Sequence, residues 1–429
     1  MLGLEKPIPL EFLIDGSYLR TSIDDYLSAN GISSETTLVV EFARALLPPT
    51  YVATFEHDDW VGCVDLLSET SAPGRLGQSF ITAGQERILS GSYDGYLRLW
   101  DTSSTILATS SPTSEGGHQG PIKSAKFLNP NQIVSGGLDR TLRIWNCGPP
   151  GADHSTSISL HGEFYGHTAS VDSVATHAPS QRILSASADH TVGLWSTNIS
   201  ENPEAPTSLL PSSRQSTSGK KRKISTKSQT RTPKGPLLLL RGHTDAAAEV
   251  IFDDKDATVG YSASWDHTIR TWDLVTSALV DTRTTASALL SLTHLSSRNL
   301  IAAGTSEKDI KLIDPRDSAS TVSVMTLRGH TNAVVSLASD PDSQHGLVSG
   351  SYDGACRIWD IRSSKRSGQK GVISEAVYTI ERDSNIMKGK GRGSRVLAGE
   401  GLRVFDVCWD KKIGIVSASE DKRVQINRQ

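Results

Sequence analysis

One pattern constrains this chain more than any other: the segment GSYDGYLRLWD (91–101) returns as GGLDRTLRIWN (136–146), SASADHTVGLW (185–195), SASWDHTIRTWD (262–273) and GSYDGACRIWD (350–360). Such a series implies a repeat architecture, in which each unit leaves an apolar face that only its neighbour can bury. Two degenerate copies bring the total to seven: GTSEKDIKLID (304–314), with Ile313 at the Trp position, and SASEDKRVQIN (417–427), with Asn427 there.

A second anchor travels with the first. His118, His167, His243 and His330 lie 27, 28, 29 and 29 residues before Trp145, Trp195, Trp272 and Trp359. An Asp stands six residues before each Trp, as Asp94 before Trp100 and then Asp139, Asp189, Asp266 and Asp353, with Glu307 substituting in the fifth unit. The alternation in YLRLW and TLRIW is that of a strand with one face inward, and the small residues with Asp just before it suit a tight turn. The Ser, His and Asp that recur in several units could be taken for a hydrolase triad. Recurrence at constant spacing is what architecture requires, whereas a catalytic set should occur once. His57, Asp58, Asp59 and Trp60 fit the same frame and open the first unit rather than form a metal site.

The rest of the composition narrows the function classes. A formal charge of -3 over 429 residues gives no global pull towards nucleic acid or acidic lipid. Cys63, Cys147, Cys356 and Cys408 are far apart and form no CxxC pair, which argues against a zinc site or a secreted disulfide scaffold. No stretch approaches the roughly 20 apolar residues of a membrane span, and MLGLEKPIPL lacks the features of a signal peptide. A soluble intracellular protein with no cofactor and no membrane or direct DNA contact is expected.

Over residues 50–427 the repeats resemble the WD40 family. The resemblance implies an all-β, seven-bladed β-propeller spanning 47–429, each blade a four-stranded antiparallel sheet. It further implies a buried hydrogen-bond network in each blade, linking the turn Asp, the His imidazole, a strand hydroxyl and the Trp indole. A ring left open would expose two unpaired strand edges. The seventh copy stops at Gln429 without a fourth strand, so residues 50–56 are predicted to close that blade as its outer strand.

Two insertions interrupt the pattern. Residues 197–238, rich in Ser, Thr, Pro, Lys and Arg, are expected to form a disordered loop. Within them Lys220, Lys221, Arg222 and Lys223, followed by Lys227, Arg231 and Lys234, form a basic cluster. It fits a solvated loop, a nuclear-import signal or an RNA contact, and the lack of interleaved aromatics weighs against RNA. Residues 364–398, containing KGKGRGSR, are expected to be a second mobile segment.

Ahead of the propeller, residues 1–46 include a short strand EFLID, a turn at Gly16, a polar helical turn near SIDDYL and a final strand TTLVVEF. This resembles the second half of a ubiquitin-like β-grasp, the first half being missing. Together with the linker VEFARALLPPTYVATFEHDDWV and seven repeats ending in VQIN, it is similar to the eukaryotic ribosome-biogenesis WD-repeat family whose members join pescadillo and a Bop-type propeller protein. The resemblance implies a non-enzymatic assembly factor for the 60S subunit, acting in nucleolus and nucleoplasm on the pre-60S particle. It also implies docking of the ubiquitin-like segment on midasin, an AAA+ ATPase. The family's docking carboxylate matches Glu35 in ISSETTL, which would complete the coordination of a Mg²⁺ held by midasin. By its residue type alone Glu35 is a solvated acid. Two other binding classes stay open: a general scaffold, and a cullin-ligase substrate receptor, for which Trp359, Asp360, Ile361 and Arg362 supply a weak WDxR signal.

Overall fold

A computed structural model describes residues 9–14, 17–19, 21–75, 81, 84–148, 157–211, 232–296, 298–317, 323–343, 345–363, 365–366, 372–384 and 402–429. Seven antiparallel sheets follow one another around a ring, led by the inner strands Val61–Leu67, Ile122–Asn129, Val171–His177, Ala247–Phe252, Leu289–Leu295, Val334–Ser339 and Val404–Asp410. Within each of these sheets the first three strands pair antiparallel and outward in chain order from the inner strand.

The seventh blade takes its fourth strand from the start of the chain. Thr50–Glu56 pairs antiparallel with Arg423–Arg428, in the register Glu56↔Arg423 to Thr50↔Arg428, as predicted. Phe55 from this strand is buried and stacks on Trp100 of blade one at 5.3 Å, so the closing strand also seals the neighbouring blade interface. The core lies between blades: alternate Val, Ile and Leu of the inner strands meet the indoles of Trp145, Trp195, Trp272 and Trp359, all fully buried.

The turn before each third strand has one form. The residue after the turn acid is left-handed in all seven blades: Gly95, Arg140, His190, His267, Lys308, Gly354 and Lys422, with φ between 63° and 83°. Only two of these are Gly, because the acid at the preceding position supports the turn. Asp139 Oδ1, for example, accepts from Thr141 N at 3.2 Å, and Asp266 Oδ1 accepts from Thr268 N at 3.0 Å.

Both insertions differ from expectation where they are described. Residues 197–211 and 232–238 are packed rather than loose: Asn202 and Ala205 are buried, Ile199 joins the blade-two core, and Lys234 pairs with the outer strand Ile158–Tyr165 through Tyr165 N→Lys234 O (2.8 Å) and Lys234 N→Glu163 O (3.1 Å). That strand edge offers backbone donors and acceptors needing partners, and the polar segment supplies them despite its composition. The Lys220, Lys221, Arg222, Lys223 cluster, Lys227 and Arg231 lie outside the described residues. In the second insertion Tyr378–Glu381 is the fourth strand of blade six, and Val372–Ser374 adds a parallel strand to blade five beside Met325–Arg328. The expected mobile segment therefore begins too early at 364. KGKGRGSR lies outside the described residues.

The N-terminal segment forms a three-stranded sheet, Leu10–Ile14 flanked by Ser17–Tyr18 and Val40–Arg44, with a helix Ile23–Asn30. Ser22 caps the helix by accepting from Asp25 N, and Gly31 ends it at φ 64°. The final strand starts at Val40, later than the run TTLVVEF indicated.

Candidate functional site: a bonded repeat core, an aromatic face and an exposed loop acid

In blades two, three, four and six the repeated polar residues converge as one bonded chain each. In blade two His118 Nδ1 lies 2.9 Å from Asp139 Oδ2, His118 Nε2 lies 2.7 Å from Ser135 Oγ, and Trp145 Nε1 donates to the same Oγ at 2.8 Å. The three spacings are 3.0, 2.7 and 2.8 Å for His167, Asp189, Ser185 and Trp195, and 2.9, 2.7 and 2.8 Å for His243, Asp266, Ser262 and Trp272. They are 2.8, 2.7 and 2.8 Å for His330, Asp353, Ser349 and Trp359. One arrangement satisfies every group: imidazole Nδ1–H donates to Asp, the Ser O–H donates to Nε2, and the indole N–H donates to Ser.

The second oxygen role of each Asp joins separate loops. Asp266 Oδ2 takes both His243 and the Thr244 N–H, while its Oδ1 holds its own turn. Burial opposes ionisation of Asp266, but hydrogen bonds from Thr268, His243 and the Thr244 N–H outweigh it and hold its pKa at about 2. Burial likewise opposes ionisation of Asp353, and the His330 bond leads the groups that bring it to about 2. Burial lowers the pKa of His118 and His243, keeping them neutral near pH 7. Ser135, Ser185, Ser262 and Ser349 are fully buried and each hydroxyl is held by an indole, so none presents a nucleophile. The Ser–His–Asp geometry is architecture.

Blade one departs from this scheme. His57 Nε2 reaches Ser90 Oγ at 2.8 Å, and Trp100 Nε1 donates to that Oγ at 2.8 Å, but Asp94 pairs instead with Arg98 at 2.7 Å. Arg98 also reaches Asp58 at 3.0 Å. Burial, then the nearby Arg98 charge, push His57 down to about 4. Blade seven holds the largest surprise. It keeps Ser417 and Asp421 at the repeat positions, and Arg382 occupies the place of the His. Its guanidinium bonds Ser417 Oγ at 2.8 Å and Asp421 at 2.8 and 3.1 Å, and it is 1% exposed. Asp421 standing six residues before Asn427 was the available signal, since a retained buried acid needs a cation or donors.

Side chains that could anchor a partner gather on the face carrying the His–Asp turns. Trp60 packs on Tyr93 at 5.4 Å and on Phe405 at 6.1 Å, and Tyr93 stacks on Phe405 at 5.8 Å. Tyr352 meets Phe405 edge-on at 6.1 Å. Lys123 caps the Tyr93 ring at 4.8 Å and Arg403 the Tyr352 ring at 5.5 Å. Across the channel mouth, a cavity of about 410 Å³, Trp265 is 52% exposed. Trp60 and Trp265 are exposed and Tyr93 and Tyr352 half-buried, and aromatic rings with cations are the residues that dominate protein interfaces. Trp60 thus belongs to the surface rather than to the architecture, unlike His57. Sequence inspection could not single these residues out, because strand-flanking aromatics are as often buried.

Glu35 stands far from this face in sequence, in the loop between the helix and the strand Val40–Arg44. Its side chain is exposed, and the loop is shaped by Glu35 N→Ser33 Oγ (3.3 Å) and Thr36 N→Ser33 O (3.0 Å). Arg362 of the WDxR sequence is bound to its own Asp360, with Nε at 3.0 Å from Oδ1.

Comparison with known proteins fits these observations. The family model described as WD domain, G-beta repeat matches residues 49–101, 109–146, 158–196, 234–273 and 321–360, the spans of the blades in which Trp and its serine are both present. The WD40 beta propeller domain of Doa1 superposes with a TM-score of 0.58 at 16% identity, over 89% of this chain and 97% of that one, and shares the fold alone. A ribosome biogenesis protein ytm1 of Aspergillus terreus is 59% identical over 429 residues, covering 100% of this chain and 88% of that protein. Its namesake from Neosartorya fischeri is 59% identical over 428 residues, covering 100% and 87%. Identity at this level along the whole chain, on a propeller built from WD repeats, establishes that the chain belongs to the ytm1 family of WD-repeat ribosome biogenesis proteins.

Proposed function

We propose that within ribosome biogenesis the propeller scaffolds the pescadillo/Bop-type complex on the pre-60S particle, while Glu35 docks on midasin so that ATP-driven pulling removes the complex. The observation that carries this is the whole-length identity to ribosome biogenesis proteins. The aromatic face around Trp60, Tyr93, Tyr352, Phe405 and Trp265 supports the scaffold role, since such residues give stable docking. For Glu35, an exposed carboxylate on a short bonded loop suits ligation of a hard cation presented by another protein. The N-terminal sheet and helix act in this reading as the second half of a ubiquitin-like fold, residues 1–46, with the propeller at 47–429. Work of this kind places the protein in nucleus, nucleolus and nucleoplasm, with Lys220–Lys223 as the import signal. The ligase-receptor reading is disfavoured by Arg362, whose guanidinium is committed to Asp360.

Affinity purification of the tagged chain from nuclear extract tests this reading, as wild type and as Glu35→Ala. Recovery of the pescadillo and Bop-type proteins with both forms, and of midasin with wild type alone, is expected. Equal midasin recovery with Glu35→Ala would remove the docking role, and recovery of a cullin adaptor instead would overturn the scaffold.

A further inference from the structure

The Asp that follows Trp in the WD dipeptide has different neighbours in different blades. In blades one and four it serves only its own turn: Asp101 accepts from Ser103 and Thr105, and Asp273 from Val275 and Thr276. In blade six Asp360 is 1% exposed, and it bonds a residue 342 positions away, accepting from the hydroxyl of Tyr18. Arg362 braces the same carboxylate, with Nε at 3.0 and 3.1 Å from its two oxygens. A second tie lies at the far end of the N-terminal sheet, where Tyr378 donates its hydroxyl to Leu46 O at 2.9 Å and the Leu46 side chain packs on the blade-six and blade-seven core.

We propose that the N-terminal sheet is clamped to the propeller at these two points, so that load applied at Glu35 enters blade six through Tyr18–Asp360 and Leu46–Tyr378. This inference rests on the docking role proposed for Glu35. One contact would allow the sheet to swivel; two contacts fix its orientation. Tyr18 sits on the hairpin strand opposite Leu13, and Leu46 lies just past Val40–Arg44, so the ties bracket both strands that flank Leu10–Ile14. Both receiving residues belong to strands of blade six: Asp360 pairs with Gly346 and Tyr378 with Ile358. Force therefore arrives on hydrogen-bonded sheet, rather than on a surface loop that would extend first. A free tether would lengthen under the same load and delay its transfer.

Two variants of the full chain separate the clamp from the docking reading. In Tyr18→Phe combined with Tyr378→Phe, both rings remain and only the hydroxyls go. Amide hydrogen exchange across Leu10–Ile14 should quicken about tenfold, as expected when a charge-assisted bond and its partner tie are lost. Affinity for the isolated midasin adhesion domain should stay at the wild-type value, while ATP-driven release of the complex from purified pre-60S particles slows several-fold. Unchanged exchange would overturn the clamp, and faster exchange with unchanged release would overturn load transfer through it. Glu35→Ala should leave exchange as in wild type and abolish adhesion-domain binding. If that binding persists, the docking role fails, and with it the entry of load at Glu35, while the exchange result still decides whether the sheet is clamped.

Discussion

Blades four and five are neighbours built on one plan, yet they treat the same buried positions in opposite ways. Blade four holds His243, Asp266, Ser262 and Trp272 as a closed chain of bonds. Blade five has Ala303 at the Ser position and Ile313 at the Trp position, both fully buried, and its turn acid Glu307 is exposed. Even so, its turn keeps the left-handed residue, Lys308 at φ 75°, and its strands pair in the same register pattern. The network is thus not needed to form a blade. It is needed wherever any one of its members is buried, because an indole N–H without its hydroxyl costs more than the bond itself contributes. Blade five loses the set together, and blade seven, retaining Ser417 and Asp421, requires Arg382.

That comparison breaks first, and hardest, at Arg382. Arg382→Leu removes the guanidinium that pairs with the buried Asp421 side chain at 2.8 Å, at a cost of about 3–5 kcal/mol. Urea unfolding of the purified chain should show it as a lowered midpoint, and a shift within error of zero would mean blade seven tolerates the same bare core as blade five. Next come two opposite substitutions with the same sign. Ser262→Ala strands the Trp272 indole and the His243 Nε2, and Ala303→Ser buries a hydroxyl among Ile301 and Ile313 with no indole to bond. Each should destabilise by about 1–3 kcal/mol in the same unfolding measurement. A neutral Ser262→Ala would reduce the network to ornament on a turn that forms regardless.

Blade number, the closing strand 50–56 and the bonded His, Asp and Trp of blades two, three, four and six were legible, because spacing repeats and a buried polar set leaves few alternatives, whereas Asp94 follows the spacing and yet turns to Arg98. Arg382 was not, since an insertion separates it from Asp421 and Ser417 and the repeat frame is lost across it. The packing of Asn202 and Lys234 was hidden for a different reason: a polar segment that satisfies a strand edge has the composition of one that does not. The aromatic face needed geometry, as the exposure of Trp60 and Trp265 is not readable from residue type. The role proposed for Glu35 rests on resemblance, because one exposed carboxylate carries no signal of its own.

The smallest effect sharpens the comparison through pH. Unfolded, His57 titrates near the ordinary value of about 6.5, whereas folded it does so at about 4. Between these values the unfolded chain binds more protons, so the stabilisation is complete above about 6.5 and is lost as pH falls towards the folded value. From pH 7 to pH 5 the His57 share of that loss is about 1–2 kcal/mol. His118 and His243, also lowered by burial, add losses of the same sign, whereas Asp266 and Asp353, with pKa values of about 2, stay ionised throughout the window. His57→Gln can still meet the Ser90 hydroxyl but cannot titrate, so its unfolding free energy should fall less steeply between pH 7 and pH 5 than that of wild type. Parallel pH profiles would show that His57 is solvated in the folded chain and that blade one, with Asp94 turned to Arg98, has left the network that blade four keeps.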